Sequence, residues 1–157
     1  MLTLKKWLLL AFRRVTGATN HSFPFVYEKL SYFGKVFLPV VTIGLWFEDE
    51  KGFLDFQFIV DTGSTATILP SYLAKELGFD LSKLPEVKMA GVEGTGIKSW
   101  VATVKMRLND WEFEAPCFFV DNPEVPFLLG RAGVLDSEFS LSIDSKRKNL
   151  TLKEIMS

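Results

Sequence analysis

Apolar residues recur at every second position through much of the chain. Trp100, Ala102, Val104, Met106 and Leu108 form one such set. A period of two predicts a strand with one buried face. Phe139, Leu141 and Ile143 alternate with Ser140 and Ser142 in the same way. Two other runs, Phe37 to Phe47 and Phe53 to Val60, are rich in apolar, β-branched and aromatic residues. Glu48-Asp49-Glu50-Lys51-Gly52 lies between them as a turn signal, so the pair reads as a hairpin. Pro39 is expected at the start or edge of its strand, because proline cannot donate to a ladder. Asn109-Asp110 forms a tight turn, and Trp111 to Val120 returns. Ala66-Thr67-Ile68-Leu69, Val87 to Ala90, Phe127 to Gly130 and Leu150 to Leu152 are shorter candidates. The total is eight or nine short strands.

Helices are brief. Ser71 is placed to cap a short helix over Tyr72 to Leu77, with Gly78 ending it. Arg131 to Ser137 can form one or two turns. Long helices do not alternate with the strands, which argues against a parallel βαβ sheet. The pattern predicts an all-β domain, a small closed barrel or a folded sandwich with short helices. There is no internal repeat.

The N-terminal part reads differently. Residues 1–22 form a helix or arm plus linker, and residues 23–157 the domain. Met1 to Val15 mixes Lys5, Lys6, Arg13 and Arg14 with the apolar run Trp7 to Phe12. That run is far short of the roughly 20 residues needed to span a bilayer. The readings open for it are a packed or dimer-contacting helix, a membrane-surface helix, and a frayed end. Thr16 to Ser22 is polar and glycine-containing, a linker by composition. Phe23 to Tyr27 reads as an extended arm.

A length of 157 residues fits one domain, and 48% hydrophobic content can fill its core. The net charge of -1 gives no overall field that would attract nucleic acid. Lys146-Arg147-Lys148 reads as a solvated hairpin turn. One cysteine, Cys117, excludes an internal disulfide. It lies in the apolar run Ala115 to Val120 and reads as an inert buried thiol. With His21 as the one histidine, neither a Cys–His nucleophile nor a zinc ligand set is supported.

The chemistry concentrates at Asp61-Thr62-Gly63-Ser64-Thr65. One carboxylate follows the apolar run Phe56 to Val60 and precedes a glycine turn. Gly63 permits close backbone approach, and Ser64 is placed to donate to the Asp61 carboxylate. From these five residues alone, a hydrogen-bonded turn and a catalytic loop are equally open.

The longer string Asp61-Thr62-Gly63-Ser64-Thr65-Ala66-Thr67-Ile68-Leu69-Pro70-Ser71 resembles the catalytic segment of aspartic proteases of the pepsin and retroviral type. Leu128-Leu129-Gly130 is similar to that family's second signature, two apolar residues and glycine. The segment Gly91-Val92-Glu93-Gly94-Thr95-Gly96 resembles its flap. The ordered match spans roughly residues 36–153. Its size and single motif resemble the single-domain retroviral-type enzymes and their Ddi-type cellular relatives.

The resemblance implies the retroviral-type acid protease barrel. It also implies an aspartic endopeptidase built as a homodimer, with one Asp61 from each chain and peptide or unfolded protein as substrate. Thr62 would grip its counterpart, Gly63 would line the groove, and Leu128, Leu129 and Gly130 would support the loop from behind. Gly91 to Gly96 would close over substrate. No cofactor, metal or nucleic acid is implied. The alternative is a non-catalytic peptide-binding or dimerisation module on the same fold. A cytoplasmic location is expected, with peripheral membrane contact through residues 1–15 as the variant reading. Two departures stand out. Thr65 occupies a position where retroviral enzymes usually carry an acid paired with the arginine here numbered Arg131, and the flap segment lacks the pepsin-type tyrosine. Trp100 is open to either a covering or a core role.

Overall fold

The computed structural model describes residues 18–90 and 96–155. Twelve strands are present among them. These are β1 (Asn20–Pro24), β2 (Val26–Leu30), β3 (Gly34–Leu38), β4 (Val40–Phe47), β5 (Gly52–Val60) and β6 (Thr67–Pro70). They continue as β7 (Glu86–Ala90), β8 (Gly96–Leu108), β9 (Trp111–Val120), β10 (Leu128–Leu129), β11 (Phe139–Asp144) and β12 (Asn149–Glu154).

Six of these strands close a barrel. The hydrogen-bonded order is β4-β5-β10-β6-β9-β8, and β8 returns to β4 through the pairs Gly44–Arg107 and Leu45–Met106. β7 extends β8 outward as a hairpin. The long β8–β9 hairpin runs in register from Ser99–Val120 to Leu108–Trp111. Its inward set Ala102, Val104, Met106 and Leu108 is the alternating set of the sequence, and all four are buried. Closing the sheet removes its two free edges. Phe58, Phe119, Phe139, Ile43, Leu45 and Leu129 are wholly buried among the core side chains. Each contributes about 1.5–3 kcal/mol by leaving water.

The strand count exceeds the expected eight or nine through β1, β2 and β3. Pro39 divides the run from Phe37, so β3 ends at Leu38 and β4 begins at Val40. It has no N–H to continue the ladder. Asn20 to Ser22, expected as linker, instead belong to β1, which pairs with β12 from Asn20–Lys153 to Pro24–Asn149. The inward residue that anchors this strand is polar. The His21 ring is buried, with Nε2 2.8 Å from Glu154 Oε1 and Nδ1 2.7 Å from Asn109 Nδ2. β1, β12 and β11 make a second sheet, and β2 with β3 a separate hairpin.

Ser71 does not cap a helix. Pro70 occupies the cap position, and Ser71 opens a single 3₁₀ turn, Ser71–Leu73. Further turns follow to Gly78, whose φ of 87° ends them. The expected helical turn after Gly130 is present as Arg131–Leu135, kinked at Ala132 and Gly133. No helix among the described residues is long and apolar enough to cross a membrane. The helix expected over Met1 to Val15 lies outside the described residues.

Candidate active site

Asp61 directly follows β5, where the strand leaves the barrel wall. Three successive amides fix that exit. Ile59 donates to the Phe127 carbonyl at 2.9 Å, Val60 to Pro39 at 2.7 Å, and Asp61 to Leu129 at 3.0 Å. Alternate donors therefore reach neighbours on either side of the strand, as a ladder requires. β10 lies parallel to β5 with Leu128 opposite Ile59 and Leu129 opposite Val60. Leu128 also pairs with Ile68 of β6, so this two-residue strand is held on both sides.

The loop itself is a tight hydrogen-bonded turn. Asp61 Oδ1 accepts from the amides of Gly63 at 2.9 Å and Ser64 at 3.2 Å. The Ser64 hydroxyl does not serve the carboxylate as the sequence suggested. It donates to the Ala66 carbonyl at 2.7 Å, and the backbone of Ser64 reaches Asp61 instead. Two amide donors orient the carboxyl group with one oxygen held. Asp61 is half-buried, while Thr62, Gly63 and Thr65 are exposed.

A second segment braces the loop from below. Arg131 donates its amide to the Ser64 carbonyl at 3.1 Å, and Ala132 to Thr65 at 2.7 Å. Gly130 donates to Thr67 Oγ1 at 3.3 Å inside the barrel. Any side chain on Gly130 would overlap the Ala66 carbonyl, so the two segments approach as closely as backbone allows.

This site sits within a sequence span of known type. Residues 48–132, more than half of the chain, match the family model described as aspartyl protease. The chain belongs to the aspartyl protease family.

Its fold is retropepsin-like. A retropepsin-like aspartic protease from Rickettsia conorii superposes with a TM-score of 0.55 at 20% identity, over 88% of this chain and 96% of that one. The protease of EIAV, solved with the inhibitor HBY-793, gives a TM-score of 0.45 at 18% identity, over 68% and 88%. No curated protein matches the sequence.

Other expected site residues of this aspartyl protease chain are placed as follows. β7 and β8 form a hairpin whose last described pair is Ala90–Gly96. Gly96 is thus at its end, while Gly91, Val92, Glu93, Gly94 and Thr95 lie outside the described residues. Ser99 Oγ donates to the Val87 carbonyl at 3.0 Å and ties the hairpin base. Trp100 is half-buried and packs against the core from β8. Arg131 is exposed, and among the described residues it makes no ion pair. Cys117 is wholly buried, and burial pushes its thiol pKa well up. Among the described residues no group of three or more His, Cys, Asp or Glu could hold a metal ion.

Sequence reasoning missed Thr67 and Ala132. Both act through loop contacts that join segments over 60 residues apart. The signal for Thr67 was present: one hydroxyl in the run Ala66 to Leu69, otherwise apolar and now wholly buried.

Proposed function

We propose that this chain is an aspartic endopeptidase that works as a homodimer, each copy supplying one Asp61. The observation that carries this reading is the Asp61 carboxylate itself. It is half-exposed at a strand exit, held through Oδ1 by two amides, and braced by Leu129 behind. No described residue hydrogen-bonds Oδ2, which leaves that oxygen for a second carboxylate, water or substrate.

Two such carboxylates facing each other share one proton, because both cannot ionise cheaply at short range. The titration then belongs to the pair. The charged member takes a proton from water as that water attacks the peptide carbonyl. The protonated member polarises the carbonyl oxygen and then delivers a proton to the leaving nitrogen. Thr62 grips its counterpart, and Gly63 offers backbone to an extended peptide. The β7–β8 hairpin closes over the cleft and excludes water. The substrate is exposed or unfolded polypeptide with apolar side chains near the cut.

Asp61→Asn tests this directly. Cleavage of an unfolded peptide library should fall at least about 10³-fold, on the scale of general acid–base contributions, with the dimer retained in sedimentation. Equal inactivity of wild type and variant across the library would favour a peptide-binding module instead.

A further inference from the structure

The β2–β3 hairpin is not absorbed by the protease reading. Among the described residues its two strands pair only with each other, from Val26–Leu38 to Leu30–Gly34. Isolated two-stranded hairpins are marginal in water. This one is pinned at its base, where Phe25 and Phe37 stack at 4.0 Å and the Phe25 amide donates to the Lys148 carbonyl at 3.0 Å. Beyond the base it leaves Val26, Tyr27, Leu30, Tyr32 and Phe33 exposed. Tyr32 is 96% exposed and Phe33 79%, side by side in the turn. Five-residue strands carry that turn about 17 Å outward. Clustered large apolar groups of this kind mark an interaction surface.

Its position says what covers it. Leu38 leads directly into Pro39, whose carbonyl accepts from Val60, the residue before Asp61. The hairpin therefore springs from the same end of the barrel as the half-site. β1 begins at its end away from this hairpin, where Thr19 and His21 meet Glu154. The tip charges are weak: Lys29 and Lys35 stand opposite each other, with Glu28 adjoining. Apolar contact rather than attraction to an anionic surface is what this hairpin offers.

We propose that the β2–β3 hairpin is an arm that packs on a second copy of this chain, beside the paired Asp61 loops, with Tyr32 and Phe33 as its anchors. It rests on the homodimer reading above. Aromatic anchors at the centre of an interface dominate its affinity, and both side chains become available without disturbing the barrel.

The test uses the full chain carrying Asp61→Asn, so that no self-cleavage intervenes. Sedimentation equilibrium should show the Tyr32→Ser, Phe33→Ser double variant dimerising about thirty-fold more weakly or worse, a hot-spot-sized loss. Its thermal unfolding at concentrations that keep it dimeric should match the parent. A photo-crosslinking phenylalanine at position 32 should yield a covalent dimer. A parent dimer with unchanged affinity in the double variant, and no crosslinked dimer, would overturn the arm and leave the shared site standing. A parent that stays monomeric at all concentrations would overturn both. Flotation of the parent, but not the double variant, on phosphatidylcholine–phosphatidylserine vesicles, without a crosslinked dimer, would assign the tip to a membrane and also overturn the arm.

Discussion

The amide of Gly130 donates to Thr67 Oγ1 at 3.3 Å, joining two residues 63 apart in sequence within the buried wall behind the Asp61 loop. Thr67 is wholly buried. Thr67→Val keeps the shape but leaves the Gly130 N–H without its acceptor. The expected cost is about 1–3 kcal/mol, measured by urea unfolding. Thr67→Ser should recover most of it.

Gly130→Ala should be worse. The added Cβ meets the Ala66 carbonyl, which is backbone and cannot swing aside. Overpacking of this kind costs roughly 1–3 kcal/mol or more, and here the displaced element is the loop carrying Asp61. Stability and cleavage should fall together. Hydrogen exchange at the Asp61, Arg131 and Ala132 amides should rise before global unfolding does.

The His21 ring bridges β1 to the Asn109 turn and to Glu154. If the Asn109 amide donates to Nδ1 at 2.7 Å, the ring proton must sit on Nε2 and point at Glu154 Oε1, 2.8 Å away. Nitrogen-15 NMR should therefore report a proton on Nε2. His21→Leu removes two hydrogen bonds from a buried network and should cost about 2–4 kcal/mol. β1 should fray first, read as faster exchange of its amides.

Cys117 should be chemically silent in the folded chain. Burial raises its thiol pKa by disfavouring the thiolate, so raising the pH to 9 does not produce the nucleophile. Its Sγ lies 3.5 Å from the Ala115 carbonyl in the barrel wall. A disulfide reagent should label it only after urea is added, and Cys117→Ala should leave any cleavage unchanged.

What could be read from the sequence was local. Asp61-Thr62-Gly63 and Leu128-Leu129-Gly130 are contiguous strings, and their order along the chain pointed to the family before any coordinates. The period-two set from Trp100 to Leu108 located one barrel wall because alternate burial leaves a trace in composition. β1 left no such trace: its buried anchor is His21, and hydropathy cannot see a polar ring satisfied by Glu154 and Asn109. Pro39 reads in the sequence as the start or edge of one strand, and nothing local shows that it divides two strands with separate partners. The bracing of Ser64 and Thr65 by Arg131 and Ala132 is made by backbone atoms, which carry no residue identity. Closure through Gly44–Arg107 likewise depends on the whole ring being present.

β10 has two residues, yet it fills the gap between β5 and β6, strands formed some 60 residues earlier in the chain. During synthesis, residues up to Pro70 emerge with an empty lane between those strands. Asp61 has no carbonyl to receive its amide until Leu129 arrives, and the Thr65 carbonyl has no donor until the Ala132 amide follows. A nascent or truncated chain ending before Leu128 can pair β4 with β5 but cannot set its carboxylate. The loop that would cut polypeptide is thus set only after residues 128–132 have been made, with β11 and β12 still to follow.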